Sequence, residues 1–162
     1  MRKPPARWII SSTTVTVLSV SPMADDHTSL SSIFERSKPI PYSGSRWTLR
    51  PCATIESAIA ALGQARIPLV VTERDLAPGS WREILENTLV RPDPPFLIVT
   101  SRLADERFWA EALNLGAYDV LAKPFNPAEV VRVLGIAWRH WTNLHDRMQV
   151  RHSQVMVAAG AA

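Results

Sequence analysis

The chain has 162 residues, a length typical of one domain with short extensions. Its formal net charge is +3 and it contains no dense run of lysine and arginine, so composition does not predict a nucleic-acid-binding surface. No window approaches the roughly 18–20 apolar residues of a membrane-spanning helix. The single cysteine, Cys52, excludes an intrachain disulfide and fits a reducing cytoplasm, where we expect the protein to reside.

The N-terminal third of the chain predicts two strands separated by one helix. Residues 1–13 are expected to form a flexible extension ahead of the domain. The β-branched residues of TVTVLSV (Thr14–Val20) predict the first strand. A helix over residues 23–35 follows, because its apolar side chains recur at helical spacing. After a loop rich in proline, RWTLRPC (Arg46–Cys52) predicts the second strand.

The middle third repeats the same alternation. Thr54 is placed to cap a helix whose apolar residues share one face. The continuous apolar run IPLVVTE (Ile67–Glu73) predicts a third strand that is covered on both faces. Ser80, with a glutamate three positions later, predicts the start of the next helix. Prolines end that helix, and Phe96–Thr100 predicts the fourth strand.

The last third predicts a helix, a strand and a final helix. Asp105–Asn114 is the predicted helix, with Gly116 just beyond its C-cap. Tyr118–Ala122 predicts the fifth strand. Pro127 suits the first turn of the final helix, which we expect to continue to about Met148 and then to fray.

Five alternations of strand and helix predict an α/β fold with a doubly wound, five-stranded parallel sheet in a three-layer α/β/α arrangement. The predicted domain covers residues 14–145, and residues 146–162 are expected to form a C-terminal tail. Ligands of such folds bind at the C-terminal edge of the sheet. Thr100 and Lys123 both lie at predicted strand ends, so both side chains should reach that edge.

Two neighbouring segments carry the clearest functional signal. The strand predicted in FLIVTSR (Phe96–Arg102) ends in two hydroxyls, on Thr100 and Ser101. The strand predicted in GAYDVLAKPF (Gly116–Phe125) ends in Lys123 and a proline. A hydroxyl and an ammonium group at adjacent strand ends suit an acidic or phosphorylated group. Together with the alternating elements, these segments resemble the receiver domain of two-component response regulators, over about residues 15–141.

The resemblance implies a site with four parts, of which this chain carries two. In the family, an acidic pair after the first strand holds a divalent cation, and an aspartate ending the third strand accepts the phosphoryl group. A hydroxyl and a lysine contact that group, and Thr100 and Lys123 match them. The acidic pair maps onto Ser21 and Pro22, neither of which carries a carboxylate.

Asp25 and Asp26 lie about one helical turn beyond the acidic-pair positions. We interpret them first as negative charges favoured at a helix N-terminus, with metal binding by a bend back towards the site as the alternative. No cofactor is therefore expected, unless the chain keeps conventional Mg²⁺-dependent chemistry.

The phospho-acceptor position aligns best with Glu73, which ends PLVVTE. Asp75 is the rival, because the proline and glycine after it resemble the family's loop, but the apolar register places Asp75 beyond the strand. Glutamate carries its carboxylate about one methylene further out than aspartate. That length suits an ion pair with Lys123 better than phosphoryl transfer. A purely structural ion pair is the competing interpretation.

Aromatic residues mark two further candidate positions. Tyr118, in the predicted fifth strand, matches the family's aromatic switch residue. On the final helix, Trp138, Trp141 and Arg139 predict a surface for a protein partner, because tryptophan and arginine are enriched at interface hot spots. The four histidines show no metal-binding spacing, and we expect them to be exposed.

The resemblance therefore predicts a stand-alone, degenerate receiver domain in signal transduction, which binds a protein and is not an enzyme. A histidine kinase or another signalling protein is the expected partner, and a homodimer through the fourth helix, fifth strand and fifth helix is the other arrangement considered. Neither direct nucleic-acid binding nor a membrane is expected. One alternative is a conventional Mg²⁺-dependent receiver that accepts phosphate on Asp75 or Glu73. A weaker alternative is a flavodoxin-like small-ligand binder or enzyme, although no glycine-rich phosphate loop is present.

Overall fold

The computed structural model describes residues 13–41 and 43–160, and within them five parallel strands form one sheet. These strands are β1 (Thr14–Val20), β2 (Arg46–Cys52), β3 (Leu69–Glu73), β6 (Phe96–Ser101) and β7 (Asp119–Ala122). Their order across the sheet is β2-β1-β3-β6-β7. The short strands β4 (Asp75–Leu76) and β5 (Gly79–Ser80) form a separate antiparallel ribbon, which the sequence patterns did not predict.

Helices cover both faces of the sheet. They are α1 (Ala24–Arg36), α2 (Ile55–Gln64), α3 (Trp81–Leu89), α4 (Glu106–Leu115) and α5 (Pro127–Gly160). One apolar cluster lies under α2, α3 and α4, and a second lies under α1 and α5 on the other face. The predicted doubly wound, three-layer α/β/α fold is therefore confirmed, with β1 between β2 and β3 at the point where the strand order reverses.

Local sequence signals account for several helix ends. Thr54 Oγ1 accepts a hydrogen bond from the Ser57 N–H at 3.1 Å, and Ser57 Oγ accepts one from the Thr54 N–H at 3.2 Å, which forms a capping box before α2. Asp105 caps α4 by accepting from the Phe108 N–H at 2.8 Å. Gly116 ends α4 with a φ of 118°, in the left-handed region that favours glycine.

An extension of the domain is predicted at each end of the chain. All but residue 13 of the predicted N-terminal extension lies outside the described residues. At the other end, α5 does not fray near Met148 but continues to Gly160 as one helix of 34 residues. Residues 149–159 contain neither glycine nor proline, so no local signal ends the helix there. In the described part of the chain, none of the helices combines the length and apolar character needed to cross a membrane.

Substitution of Gly116 by alanine tests the left-handed end of α4. Gly116→Ala should lower the free energy of unfolding by about 1–2 kcal/mol, because a Cβ atom disfavours this backbone conformation. The new methyl group meets no atom closer than 3.9 Å, so crowding contributes little. Urea denaturation measures the effect. The matched control is Gly63→Ala in α2, which has open space around its Cβ and should be neutral or stabilising by up to about 1 kcal/mol.

Candidate functional site

The C-terminal edge of the sheet brings together side chains from four segments that are distant in sequence. β3 ends at Glu73, and Thr100 lies beside it in register on β6. Lys123 directly follows β7, and Asp26 lies in the first turn of α1, which follows β1. Because these strands are parallel, the segments that follow them meet at one edge. We call Asp26, Glu73, Thr100 and Lys123 the edge cluster.

Lys123 makes two ion pairs in the edge cluster. Its Nζ lies 2.8 Å from Asp26 Oδ2 and also contacts Glu73 Oε2. The side chains of Lys123, Asp26 and Glu73 are 5%, 12% and 7% exposed. Burial strengthens the attraction between these charges, and the cost of removing them from water offsets much of that gain. The cluster therefore holds the ammonium group firmly between two carboxylates, whatever its net effect on stability.

Neutral donors surround the two carboxylates. Ser21 Oγ donates to Asp26 Oδ2 at 2.6 Å, and the Asp75 N–H approaches Glu73 Oε1 at 3.4 Å. Thr100 Oγ1 lies 3.5 Å from Glu73 Oε2, which is long for a hydrogen bond. Among residues 13–41 and 43–160, every buried side-chain nitrogen and oxygen has a partner. One lysine against two carboxylates leaves a formal charge of −1, which these donors help to stabilise.

The turn between β1 and α1 directs Asp26, and not Asp25, into the edge cluster. Ser21, at the first acidic-pair position, is buried, whereas Pro22 and Asp25 are exposed. The interpretation of Asp26 as chiefly a helix N-terminal charge was therefore incomplete. Its carboxylate does bend back towards the sheet, and it binds Lys123 there.

A histidine that the sequence analysis did not single out fixes this turn. His27 Nε2 donates to the carbonyl oxygen of Ser21 at 3.0 Å, and its Nδ1 is hydrogen-bonded to Ser19 Oγ at 2.8 Å. His27 is half-buried, contrary to the exposed position expected. The ring joins the end of β1 to the start of α1, so it helps to set the direction of the Asp26 side chain.

The donor set does not fit the Mg²⁺ ion that the resemblance to receiver domains implies. Pro22 offers no side-chain ligand, and the Asp26 oxygen that faces the cluster already accepts from Ser21 and Lys123. Among the described residues, no group of three or more His, Cys, Asp or Glu side chains is arranged to hold a metal ion. An ammonium group lies where the carboxylates would bind a cation.

The two candidate acceptor residues have different surroundings. Glu73 is the last residue of β3, as predicted, and it is 6% exposed. Asp75 lies two residues later in the antiparallel ribbon, and its side chain is exposed. Of the two carboxylates, Glu73 therefore belongs to the edge cluster, where it contacts Lys123. The Lys123–Pro124 peptide bond is cis.

Tyr118 does not join the edge cluster, and its match to the family's switch residue stays a prediction. It precedes β7, and its ring stacks on Phe96 with 4.8 Å between ring centroids. Its hydroxyl is hydrogen-bonded to His140 Nδ1 at 2.5 Å. Lys123 is the fifth residue after Tyr118, a distance of about 16 Å along an extended strand. The tyrosine therefore lies at the opposite edge of the sheet.

The predicted interaction surface on α5 is only partly exposed. Trp141 is 6% exposed, so it belongs to the core and not to a surface, and its Nε1 donates to the Pro94 carbonyl at 3.2 Å. The His145 ring stacks on Trp141 with 3.7 Å between ring centroids. His145 is also buried, although an exposed position was expected. Trp138 is half-buried and Arg139 is exposed, and these two retain the accessibility that a partner requires.

Removal of the Lys123 charge should be more damaging than removal of the Glu73 charge. Lys123→Ala is expected to lower the free energy of unfolding by about 3–5 kcal/mol, because two buried carboxylates lose their cation. Glu73→Gln should cost much less, since Lys123 keeps Asp26 and the excess negative charge disappears. Parallel urea denaturation of the two variants measures the difference. Equal, small effects would contradict the paired arrangement.

We expect Tyr118 to lower the free energy of unfolding at alkaline pH. Burial, and secondarily the charge of Asp119, raises the pKa of Tyr118 above its ordinary value of 10.0. The unfolded chain therefore loses this proton first, and the free energy of unfolding should fall as the pH rises above 10 and through the folded-state pKa. Urea denaturation of the wild type and Tyr118→Phe, from about pH 9 to 11, isolates this contribution. If the free energy of unfolding changed with pH equally in the two proteins, Tyr118 would make no such contribution.

Comparison with curated proteins finds similarity over part of the chain. No protein-family model matches. The regulatory protein VirG of Agrobacterium tumefaciens (strain 15955) and that of Rhizobium radiobacter are each 32% identical over 78 residues. These matches cover 48% of this chain, and the chain spans 29% of the length of either relative.

Solved structures are similar over most of the chain. The signal receiver domain of a putative LuxO repressor protein from Vibrio parahaemolyticus has a TM-score of 0.71 at 16% identity, covering 83% of this chain and 97% of that one. The chemotaxis response regulator CheY4 of Vibrio cholerae gives 0.64 at 17% identity, with coverages of 77% and 99%. The beryllofluoride-activated NtrC4 receiver domain dimer gives 0.63 at 22% identity, with coverages of 78% and 98%. This chain therefore has the fold of response-regulator receiver domains.

Proposed function

We propose that the chain is a receiver-type signalling domain of a two-component pathway that acts without phosphoryl transfer, through contacts with another protein. The observation that carries the proposal is the Lys123 ammonium group, which Asp26 and Glu73 hold between them. In the family that the sequence resembles, the matching lysine pairs with the phosphoryl group. Here a permanent carboxylate, Glu73, already occupies that role.

The rest of the edge cluster supports the same proposal. Ser21 and Pro22 replace the metal-binding acidic pair, so no dedicated pair of carboxylates neutralises charge on a transferred group. Glu73 carries its carboxylate on a longer side chain than aspartate, and in-line phosphoryl transfer depends on close positioning. A charge that is always present suits a domain with one stable signalling state better than a domain that switches.

A protein partner is the second part of the proposal. A histidine kinase or another signalling protein is one candidate, and a homodimer through α4, β7 and α5 is the other. The similar NtrC4 structure is a receiver domain dimer. On this chain, Trp109 of α4 and Ile136 of α5 are 46% and 43% exposed, and each offers an apolar side chain for docking. Trp138 and Arg139 extend the candidate surface along α5.

Intact-protein mass spectrometry tests the absence of phosphoryl transfer. The wild type is incubated with Mg²⁺ and acetyl phosphate, and we expect no phosphoryl adduct. A receiver domain that accepts phosphate from acetyl phosphate serves as the donor control. Glu73→Gln and Asp75→Ala, treated in parallel, remove the two candidate acceptors. An adduct on the wild type that either substitution abolishes would establish the conventional receiver instead.

A further inference from the structure

The core-facing side of α5 continues beyond the domain. From Pro127 to His145, α5 covers the sheet, and every residue from 146 to 160 is exposed.

Met148 and Val155 lie seven and fourteen residues after the buried Trp141. His152 and Ala159 lie at the same intervals after the buried His145. Because seven residues make about two helical turns, these four residues lie on the face that is buried within the domain. We call Met148, His152, Val155 and Ala159 the overhanging stripe.

The residues of the overhanging stripe have the spacing of the core positions at which two helices pair. Its members alternate at intervals of four and three residues, as the a and d positions of a coiled coil do. Met148 is 52% exposed and Val155 is 66% exposed, so water covers much of the apolar surface that pairing would bury. Burial of such surface favours association.

We propose that the overhanging stripe pairs with the same stripe of a second copy, with the two helices antiparallel. The direction follows from the position of the domain. From Val130 to His145, the domain covers the same face of α5, so a parallel partner helix would run into it. An antiparallel partner helix that pairs with residues 146–160 places the two domains at opposite ends of the paired segment.

The side chains of the overhanging stripe also suit antiparallel pairing. When His152 lies opposite Val155 of the second copy, Met148 lies opposite Ala159, so each layer joins a larger side chain to a smaller one. Arg147 and Arg151 then lie level with Gly160 and Met156 of the second copy, and like charges do not stand opposite each other. The charge pattern therefore does not oppose this arrangement.

The expected dimer is weak. The overlapping residues, 146–160, span roughly 22 Å of helix, which buries less surface than a standard protein–protein interface. Association should therefore depend on protein concentration. A membrane surface is a poorer occupant, because the stripe lacks bulky aromatic side chains and the opposite face of the helix exposes Val150 and Val157.

Two valines that are two residues apart provide a matched test. Val155 lies on the overhanging stripe, whereas Val157, 73% exposed, lies on the opposite face of α5. Sedimentation velocity of the wild type over a wide concentration range should show reversible dimerisation. Val155→Glu should weaken it at least 10-fold, and Val157→Glu should change it less than about twofold. Circular dichroism checks that both variants keep the helix.

Three results would overturn the proposal. The first is a wild type that stays monomeric at every protein concentration. This result would overturn the proposal even if the monomer bound to anionic phospholipid vesicles and sedimented with them. The second is an equal effect of Val155→Glu and Val157→Glu. The third is a dimer that survives Val155→Glu, which would assign dimerisation to another face such as α4, β7 and α5. None of these results bears on phosphoryl transfer.

Disulfide trapping tests the direction of the helices. Met148→Cys and Ala159→Cys are made separately in a Cys52→Ser background and then mixed under mild oxidation. The antiparallel arrangement predicts the mixed disulfide between positions 148 and 159. Disulfides confined to like positions, 148 with 148 and 159 with 159, would overturn the antiparallel assignment.

Discussion

The C-terminal edge of the sheet depends on one interaction, the ion pairs of Lys123 with Asp26 and Glu73. They join the segments that follow β7, β1 and β3, and these segments meet only when the three strands are aligned in one parallel sheet. Each charge is largely removed from water, so loss of Lys123 would leave both carboxylates without their cation. The edge cluster therefore links correct strand register to a satisfied electrostatic environment.

The same cluster is the observation on which the proposed function rests. Two carboxylates hold the Lys123 ammonium group, and the turn after β1 presents the Ser21 hydroxyl to Asp26. His27 reinforces that turn, because each of its ring nitrogens takes part in a hydrogen bond. These contacts are the basis of our proposal that the signalling state of the domain does not require a phosphoryl group.

A second group of side chains fixes the point at which α5 leaves the domain. His145 Nε2 lies 3.2 Å from Asp93 Oδ1, and Arg66 Nε lies 3.4 Å from Asp93 Oδ2. The Arg66 guanidinium also lies over Trp141, 5.0 Å from the ring centroid. This arrangement ties the helix to the loop before β6, so the direction in which the overhanging stripe projects is set by the core of the domain.

The amino-acid sequence by itself determined the alternation of strands and helices, because apolar periodicity and capping residues act over a few positions. It also identified Glu73, Thr100 and Lys123, since each lies at the end of an apolar strand. Only the tertiary structure decided that Asp26 binds Lys123, 97 residues away, and that Trp141 is buried while Trp138 is half-exposed. Those outcomes depend on distances between remote segments, which local spacing does not encode.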